Sequence, residues 1–479
     1  MKLLEPAKHR VTVSPSPGDA AKVGVAVYVS CVAALGGLLF GYDSAVINGA
    51  VGAIGTHFGA SPATLGLAVS SVLIGAAVGA ILVGRVADSY GRLLPMRLAA
   101  LLFIVSALGA EFSNSLLVLS IFRVIGGLGL GVASVIAPAY IAEVAPAKLR
   151  GRLGSLQQLA IVTGIFISLL VDYGLSMAAG GATSPWLFGL GAWRWMFGAM
   201  VIPAVLYGVL SYTIPESPRF LIAKGRTDDA RTILARLLGS AGLDDKIRQI
   251  QDSLRGDGTP TWRDLRGPAM GLLPIVWVGI GLSVFQQFVG INVIFYYSTV
   301  LWHAVGFSEK NSLVITVITS LVNIVSTFIA IALIDKIGRR PLLLIGSAGM
   351  VVTLGVLAFV FGNAPLNAQH QPFLSHTSGL VALWAANLFV VAFAMSWGPV
   401  VWVLLGEKFP NHIRAAALSV AACAQWIANW LITVTFPTLQ HLGLGLAYGL
   451  YTTFAVLSFV FVLRFVKESN GRELENMSS

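Results

Sequence analysis

Twelve apolar stretches, each long enough to cross a bilayer as a helix, constrain this chain more than any other feature of its sequence. A helix rises about 1.5 Å per residue, so about 20 residues cross a hydrocarbon core about 30 Å thick. Within lipid the backbone amides must be hydrogen-bonded inside the protein, which leaves helices for segments of this length. The stretches lie at 24–45, 64–86, 93–113, 116–141, 153–176, 193–214, 270–302, 311–335, 340–362, 378–407, 412–435 and 442–465. The sequence therefore predicts an all-α polytopic membrane protein with twelve transmembrane helices.

Charged residues are few and unevenly placed. They make up 11% of the chain, against roughly 25% in a soluble protein. If the N-terminus is cytoplasmic, all Lys and Arg residues except Arg123, Arg194 and Lys310 fall in cytoplasmic segments. This positive-inside pattern predicts that both termini are cytoplasmic. The net charge of +10 therefore reflects topology and a lipid-bilayer partner, and it does not indicate nucleic-acid binding.

One long polar insertion divides the apolar stretches into two sets of six. It contains two charged stretches with apolar residues at helical spacing, which predict short amphipathic intracellular helices. Residues before the first stretch are polar and are expected to be disordered. The predicted segments are an N-terminal tail at 1–22, a six-helix bundle at 23–214, a cytoplasmic helical linker at 215–269, a second six-helix bundle at 270–465 and a short cytoplasmic tail at 466–479.

The two halves repeat a pattern of acidic and basic residues in equivalent loops. Asp88, Gly91 and Arg92 recur at one constant offset as Asp335, Gly338 and Arg339, and Glu143 with Arg150 recurs as Glu407 with Arg414. Two similar bundles are typical of transporters that bind substrate between their halves and expose it to alternate sides. We expect these charges to form a cytoplasmic gate of ion pairs that break and re-form. The alternative is that they only anchor helix ends in the headgroup region.

Eight short motifs, in order along the chain, resemble those of one transporter family. They are G-Y-D-S-A-V-I-N-G at 41–49, G-R-V-A-D-S-Y-G-R at 84–92, P-A-Y-I-A-E-V-A-P at 138–146, R-G-R-L-G-S-L-Q-Q-L at 150–159, P-E-S-P-R at 215–219, Q-Q-F-V-G-I-N at 286–292, D-K-I-G-R-R at 335–340 and G-P-V-V-W at 398–402. Over nearly its whole length the chain resembles the sugar porter family of the major facilitator superfamily, especially bacterial proton-coupled xylose and glucose symporters and facilitative glucose transporters.

The resemblance implies the major facilitator fold, with intracellular helices between the two bundles, and a bacterial inner membrane location. It also adds four residues of the matched motifs to the predicted gate: Arg85, Glu216, Arg219 and Arg340. The chain is expected to act as a monomer.

Uncharged amides and aromatic rings inside the spans suit a sugar, whose hydroxyls donate and accept hydrogen bonds over a ring with apolar faces. A cluster of buried amides favours a polar ligand, whereas a single one more often bonds a neighbouring helix. The predicted amides are Gln158, Gln286, Gln287, Asn292, Asn323, Gln425 and Asn429, and the predicted rings are Trp402, Trp426, Phe40 and Phe393. The resemblance implies sugar contacts at the matching positions. Ile165 stands where the xylose symporters have a second glutamine and the glucose uniporters have isoleucine, so hexose and pentose both stay open.

Asp43 lies inside the first span, where a carboxylate costs ~2.5–3.5 kcal/mol on insertion scales. Such a residue is a functional candidate, and Arg123 is the expected partner. An acid whose partner moves during transport can load and release a proton. The resemblance supports this, because the aspartate marks proton symporters of the family while facilitative glucose transporters have asparagine there. The alternative is a static structural pair.

Enzymatic activity is not expected, because no nucleophile and base are arranged for catalysis and the histidines lack metal-ligand spacing. No cofactor or metal is expected. The predicted function is proton-coupled import of a monosaccharide of the D-glucose or D-xylose class by alternating access. A uniporter for sugars or polyols is the first alternative. A transporter-like sugar sensor is disfavoured because only a short tail follows the last span. Trp193 and Trp195 are expected to anchor a span in the lipid interface.

Overall fold

A computed structural model describes residues 17–146, 149–239, 242–256, 262–365, 373–409 and 413–468. Within these ranges twelve helical segments are long and apolar enough to cross a membrane, from Gly24–Phe58 to Leu444–Phe465. The prediction of an all-α protein with twelve spans is therefore confirmed. Most of the predicted tail at 1–22 lies outside the described residues. Its last six residues are helical, because the first helix begins at Pro17, where the fixed φ of proline suits a helix start.

The N-terminal bundle is built from eight helices that make six spans. They are α1 (Pro17–Ala45), α2 (Ile47–Phe58), α3 (Pro62–Tyr90), α4 (Leu93–Glu111), α5 (Leu116–Val144), α6 (Arg150–Ala179), α7 (Ala192–Gly198) and α8 (Val201–Leu210). The first span is α1 followed by α2, and the sixth is α7 followed by α8.

The linker folds into three short helices. They are α9 (Pro218–Ala223), α10 (Thr227–Leu238) and α11 (Leu243–Gly256). Their apolar faces pack together in a small core of their own that includes Leu221, Leu234 and Ile247. The amphipathic helices expected from the sequence are therefore present.

The C-terminal bundle repeats this organisation. Its helices are α12 (Pro274–Phe288), α13 (Ile291–Ala304), α14 (Glu309–Ile337), α15 (Arg339–Gly362), α16 (His376–Ala394), α17 (Trp397–Lys408), α18 (Arg414–Leu442) and α19 (Leu444–Phe465). The seventh span is α12 followed by α13, and the tenth is α16 followed by α17.

The ends of the spans define two faces of the molecule. We call the end where α3 runs into α4, beside α9, the linker face, and the end where α2 runs into α3 the far face. Four helices that start at the far face begin with a serine whose hydroxyl accepts a backbone N–H: Ser61, Ser115, Ser308 and Ser375. Each serine satisfies one of the amides that a helix start leaves unpaired.

Breaks inside spans place non-helical backbone near the middle of the protein. Gly290 separates α12 from α13 with φ 84°, and a Cβ there would lie 2.7 Å from the Tyr451 ring. Only glycine satisfies both constraints. Met395 and Ser396 form a second break, between α16 and α17. Irregular backbone at membrane depth is tolerated where protein or a cavity satisfies it, and in transporters it marks the substrate region.

The two bundles meet along pairs of helices. The main contacts join α3 with α18, α6 with α14 and α2 with α13. Gly66 of α3 lies so close to α18 that a Cβ would reach 2.4 Å from the Val434 carbonyl oxygen. Small residues therefore let the bundles approach closely along these seams.

Candidate functional site

Three amides at the break between α12 and α13 form one hydrogen-bonded chain. Nδ2 of Asn292 donates to Oε1 of Gln287 (2.5 Å), and Nε2 of Gln287 donates to Oε1 of Gln286 (3.3 Å). Nε2 of Gln286 donates to the carbonyls of Trp397 (2.8 Å) and Gly398 (3.3 Å), in the first turn of α17 after the second break. The predicted amides thus join the two broken spans of the C-terminal bundle.

The other predicted amides of this bundle lie on α14 and α18. Asn323 and Asn429 are buried, and Oδ1 of Asn429 accepts the hydroxyl of Thr433 (3.2 Å). Gln425 is half-buried, and its Oε1 is buried without a hydrogen-bond partner. A buried acceptor without a partner costs roughly 1–3 kcal/mol, so this atom is available for a ligand hydroxyl.

Aromatic rings from the two bundles also meet. The rings of Phe40 on α1 and Trp426 on α18 lie 5.9 Å apart between centroids. Phe393 is buried, whereas the Trp402 side chain is 41% exposed. Phe40 and Trp426 therefore supply an apolar surface shared by the two halves.

The remaining predicted sugar contacts lie on α6. Gln158 is half-buried, and Ile165 is half-buried against the core. At Gly41 of α1 a Cβ would lie 2.0 Å from the Ile161 carbonyl oxygen and 2.8 Å from the Ile165 nitrogen. This close crossing fixes the position of the α6 residues relative to the first span.

Asp43 and Arg123 form a fully buried ion pair. Nη1 of Arg123 donates to Oδ1 of Asp43 (3.1 Å) and to its backbone carbonyl (3.0 Å), and the side chains are 0% and 1% exposed. Oδ2 of Asp43 and two guanidinium nitrogens of Arg123 have no hydrogen-bond partner. The predicted pair is thus present, and it retains an unpaired acceptor on Asp43 and unpaired donors on Arg123.

Tyr296 lies close to this pair and to Asn429 of α18. It is buried on α13 of the C-terminal bundle, and its hydroxyl lies against the side chains of Asn429 and Ser44, within electrostatic reach of Asp43 and Arg123. Sequence reasoning missed it because aromatic residues are common in spans, and nothing local distinguishes this tyrosine from the next.

Two other buried polar residues of α6 were also missed. Gln157 is buried, and its amide oxygen and nitrogen have no partner. Asp172 is fully buried. A usable signal existed for Asp172, because an acid inside a span is a functional candidate by the same argument that singled out Asp43.

The far face is closed by hydrogen bonds between the bundles. Nδ2 of Asn48 donates to the Phe295 carbonyl (3.0 Å), and the Thr299 N–H donates to Oδ1 of Asn48 (3.1 Å). Oε1 of Glu309 accepts the Ser176 hydroxyl (3.0 Å) and the Ala182 N–H (2.8 Å). The sequence predicted no bonds at this face, because the repeated acidic and basic residues all lie at the opposite face.

At the linker face the predicted gate residues of the N-terminal half cluster around Arg92. Its Nη2 donates to Oε1 of Glu143 at 2.9 Å, and its backbone N–H donates to Oε1 of Glu216 at 2.9 Å. Arg219 is half-buried close by in sequence, whereas Arg85 and Asp88 are exposed and have no ion pair among the described residues.

The C-terminal half repeats the backbone part of this arrangement. The N–H groups of Arg339 and Arg340 donate to the two carboxylate oxygens of Glu468 at 3.1 and 2.9 Å. Glu216 and Glu468 thus hold equivalent helix starts in the two halves. The side chains of four predicted gate residues lie outside the described part of the structure: Arg150, Asp335, Glu407 and Arg414.

An apolar groove of about 550 Å³ lies elsewhere, between α15 and α16. Val352 and Phe359 line it and are exposed on the outer surface of the bundle. It carries no amide or charge, so it is a lipid-facing groove and not a candidate substrate site.

A twelve-span protein with two repeated bundles, broken helices at mid-membrane and a polar cluster between the halves is a secondary transporter. A family model described as "Sugar (and other) transporter" matches residues 29–479. The chain belongs to this family of multi-pass membrane transporters.

Similar proteins cover almost the whole chain. It is 55% identical to the glucose transport protein of Synechocystis sp., over 97% of this chain and 99% of that protein. It is 38% identical to the D-xylose-proton symporter of Escherichia coli K12, over 94% of both chains. Among solved structures, the partially occluded inward-open xylose transporter XylE from E. coli matches with a TM-score of 0.80 at 36% identity, covering 94% of this chain and all of that one. The same transporter bound to 6-bromo-6-deoxy-D-glucose matches with a TM-score of 0.77, covering 95% and 99%.

Proposed function

We propose that this protein is a proton-coupled monosaccharide symporter that imports D-glucose by alternating access. The observation that carries this proposal is the buried Asp43–Arg123 pair in one bundle, with Tyr296 of the other bundle close both to this pair and to Asn429. When a proton site and a sugar site lie against the same side chain, occupancy of one site can change the affinity of the other each time the bundles move.

The sugar site lies between the bundles and draws mainly on the second. Gln286, Gln287, Asn292, Asn323, Gln425 and Asn429 offer donors and acceptors to hydroxyls, together with Gln158 of the first bundle. Phe40 and Trp426 offer the apolar surface for the sugar ring, with Phe393, Trp402 and Ile165 around them. Amides suit a neutral polyhydroxylated ligand because each can donate and accept, whereas a charged site would favour an ionic substrate.

Glucose is the preferred sugar in this proposal. Ile165 stands where a glutamine would offer a further hydrogen bond, and the relative with 55% identity is named a glucose transport protein. D-Xylose, the substrate named for the E. coli relative, is the second candidate. The two sugars differ by one hydroxymethyl group, so both are tested together.

Asp43 is the proton carrier of the proposal. When Arg123 is close, the pair is neutral without a proton, and when Arg123 moves away, the buried carboxylate needs one. One charge crossing a potential of 100 mV supplies ~2.3 kcal/mol. At about 1.4 kcal/mol per factor of ten, this corresponds to roughly 50-fold sugar accumulation.

The closed far face and the separate clusters at the linker face describe one end of the transport cycle. In the proposal the linker face is cytoplasmic, as the positive-inside pattern predicts, and the protein lies in the inner membrane as a monomer without a cofactor or enzymatic activity. Arg85, Asp88, Arg92, Glu143, Arg150, Glu216, Arg219, Asp335, Arg339, Arg340, Glu407 and Arg414 then form the gate that closes when the far face opens.

The test is uptake of radiolabelled D-glucose and D-xylose into proteoliposomes, with and without an inward proton gradient. Wild type is expected to accumulate sugar only with the gradient, and Asp43→Asn is expected to exchange sugar without accumulating it. Asp252→Asn, which changes an exposed aspartate of α11, is the matched control and keeps accumulation. If sugar equilibrates across wild-type proteoliposomes at the same level with and without the proton gradient, the protein is a uniporter. If neither sugar is taken up, sugar transport is contradicted.

A further inference from the structure

Asp172 is a second buried carboxylate of the N-terminal bundle, on α6 in the half nearer the far face. Its side chain is 0% exposed, its Oδ2 accepts the backbone N–H of Gly49 on α2 (3.3 Å), and its Oδ1 has no partner. A Cβ at Gly49 would lie 2.6 Å from the Asp172 Cβ. The two helices therefore touch at this point and leave no room for a solvating layer.

Among the described residues no cation forms an ion pair with this carboxylate. The titratable group beside it is the Tyr42 phenol of α1, whose hydroxyl donates to the Met196 carbonyl (3.3 Å). The described charged side chains on the helices packed against α6 are engaged elsewhere or lie near helix ends. Arg123 bonds Asp43, and Glu143 bonds Arg92. Arg194 bonds the Glu111 and Ser113 carbonyls and contacts His57. Glu309 bonds Ser176 and Ala182, and Lys310 and Lys336 lie near the ends of α14.

The contact at Gly49 lies next to the bonds that close the far face. Asn48, the preceding residue, contacts Phe295 and Thr299 across the bundle interface, and its carbonyl also accepts the Thr299 hydroxyl (2.5 Å). Asp172 therefore accepts a hydrogen bond from the same turn of α2 that Asn48 bonds to α13. A change of charge on Asp172 acts on this turn directly.

We propose that Asp172 is a second proton-binding site, distinct from Asp43, and that its proton is required for α2 to lie against α6 and for the far face to close. A buried ion without a counter-charge is strongly unfavourable, whereas the neutral acid keeps its bond to Gly49 without that cost. Closure of the far face then requires a proton, which adds a second point of proton control to the proposed symport on which this inference rests.

The first experiment detects the proton itself by infrared spectroscopy. Wild-type protein at neutral pH is expected to show a C=O stretching band of a buried protonated carboxylic acid that Asp172→Asn lacks. Asp252→Asn, which alters an exposed carboxylate, keeps this band. If the spectra of wild type and Asp172→Asn do not differ in this band, Asp172 is ionised and the proposal is overturned.

The second experiment measures closure through deuterium exchange of α2 and α13 peptides across pH, corrected for the intrinsic effect of pH on amide exchange. In wild type, rising pH removes the proton and is expected to open the far face and raise exchange. Asp172→Asn mimics the neutral acid and is expected to keep exchange low at every pH. A purely structural Asp172 would give the same pH profile in both proteins, which would overturn the proposal.

Asp172→Ala separates loss of the bond from loss of the proton, because it removes both and should open the far face at every pH. Failure of the symport proposal gives a different result. Sugar uptake would then be independent of the proton gradient, while the infrared band of Asp172 would still be present. Conversely, accumulation that depends on Asp43 together with a missing band would refute only the role of Asp172.

Discussion

The two bundles have the same architecture but bury different chemistry. Five charged side chains are buried in the described part of the N-terminal bundle: Asp43, Glu111, Arg123, Asp172 and Arg194. Among the described residues of the C-terminal bundle, the buried charge is Arg339 at the linker face, and its interior holds amides and hydroxyls instead. In the proposed function this difference is a division of labour, in which one bundle handles protons and the other supplies most of the sugar contacts.

Such a division requires a link between the bundles. Two contacts between the bundles provide it: the Phe40 and Trp426 rings, and Tyr296 close to Asn429 and to the Asp43–Arg123 pair. Both join a residue of the first span to the C-terminal bundle. The first span therefore couples the halves, and variants on either side of it test the division.

The largest effect is expected from Arg123→Gln, which leaves Asp43 buried without its cation. Removing one partner of a buried pair costs about 3–5 kcal/mol while the other stays charged, so in alkaline detergent solution, where a proton is not readily available to Asp43, the midpoint of thermal unfolding should fall sharply. The double variant Asp43→Asn with Arg123→Gln removes both charges and should recover much of the loss. If the single and double variants unfold alike, the pair is not the electrostatic unit that the comparison assumes.

A smaller effect is expected from Gln286→Ala in the C-terminal bundle. The variant loses bonds to Trp397, Gly398 and the sugar, and D-glucose binding measured by calorimetry should weaken by about 10- to 100-fold. Proton dependence of the remaining transport should persist. Asn363→Ala removes an exposed amide bonded within α15 and is the matched control. Loss of proton dependence in Gln286→Ala with unchanged sugar affinity would reverse the assignment of the bundles.

The smallest effect is expected from Glu143→Gln at the linker face. Its bond to Arg92 is partly exposed, and such pairs contribute roughly 0–1 kcal/mol. Exchange rates should change only a few-fold at low salt and less at high salt. A tenfold or larger loss that ignores ionic strength would show that this pair is more than one weak bond of a reversible gate.

The fold followed from the sequence because span length and amide satisfaction leave few alternatives. The amides at the breaks of the C-terminal bundle were also singled out from the sequence, since polar residues stand out in apolar helices, and their binding of a sugar stays a prediction. The side-chain contacts that could not be predicted depend on which helix faces pack against each other. Gln286 bonds the backbone at the break before α17, and Trp193, expected in the lipid interface, is instead 2% exposed and covers the guanidinium of Arg194 at 4.6 Å.

The charge pattern was informative in a different way. Equal spacing of acids and bases in the two halves predicted a set of gate residues, of which Arg92 and Glu143 are bonded among the described residues, and their role as a gate stays a prediction. The backbone bonds of Glu216 and Glu468 to equivalent helix starts did not follow from this spacing. The spacing gave no sign of the far-face bonds of Asn48, because a neutral asparagine in a span has no distinctive pattern. Contacts between distant neutral residues need the packed structure.

The most direct test of proton coupling follows external pH while D-glucose is added to weakly buffered proteoliposomes. Entry of sugar with protons should make the outside medium more alkaline in wild type. The change should be absent in Asp43→Asn, even though that variant still exchanges labelled D-glucose. Entry of D-glucose into wild-type vesicles without any alkaline shift would contradict the central claim.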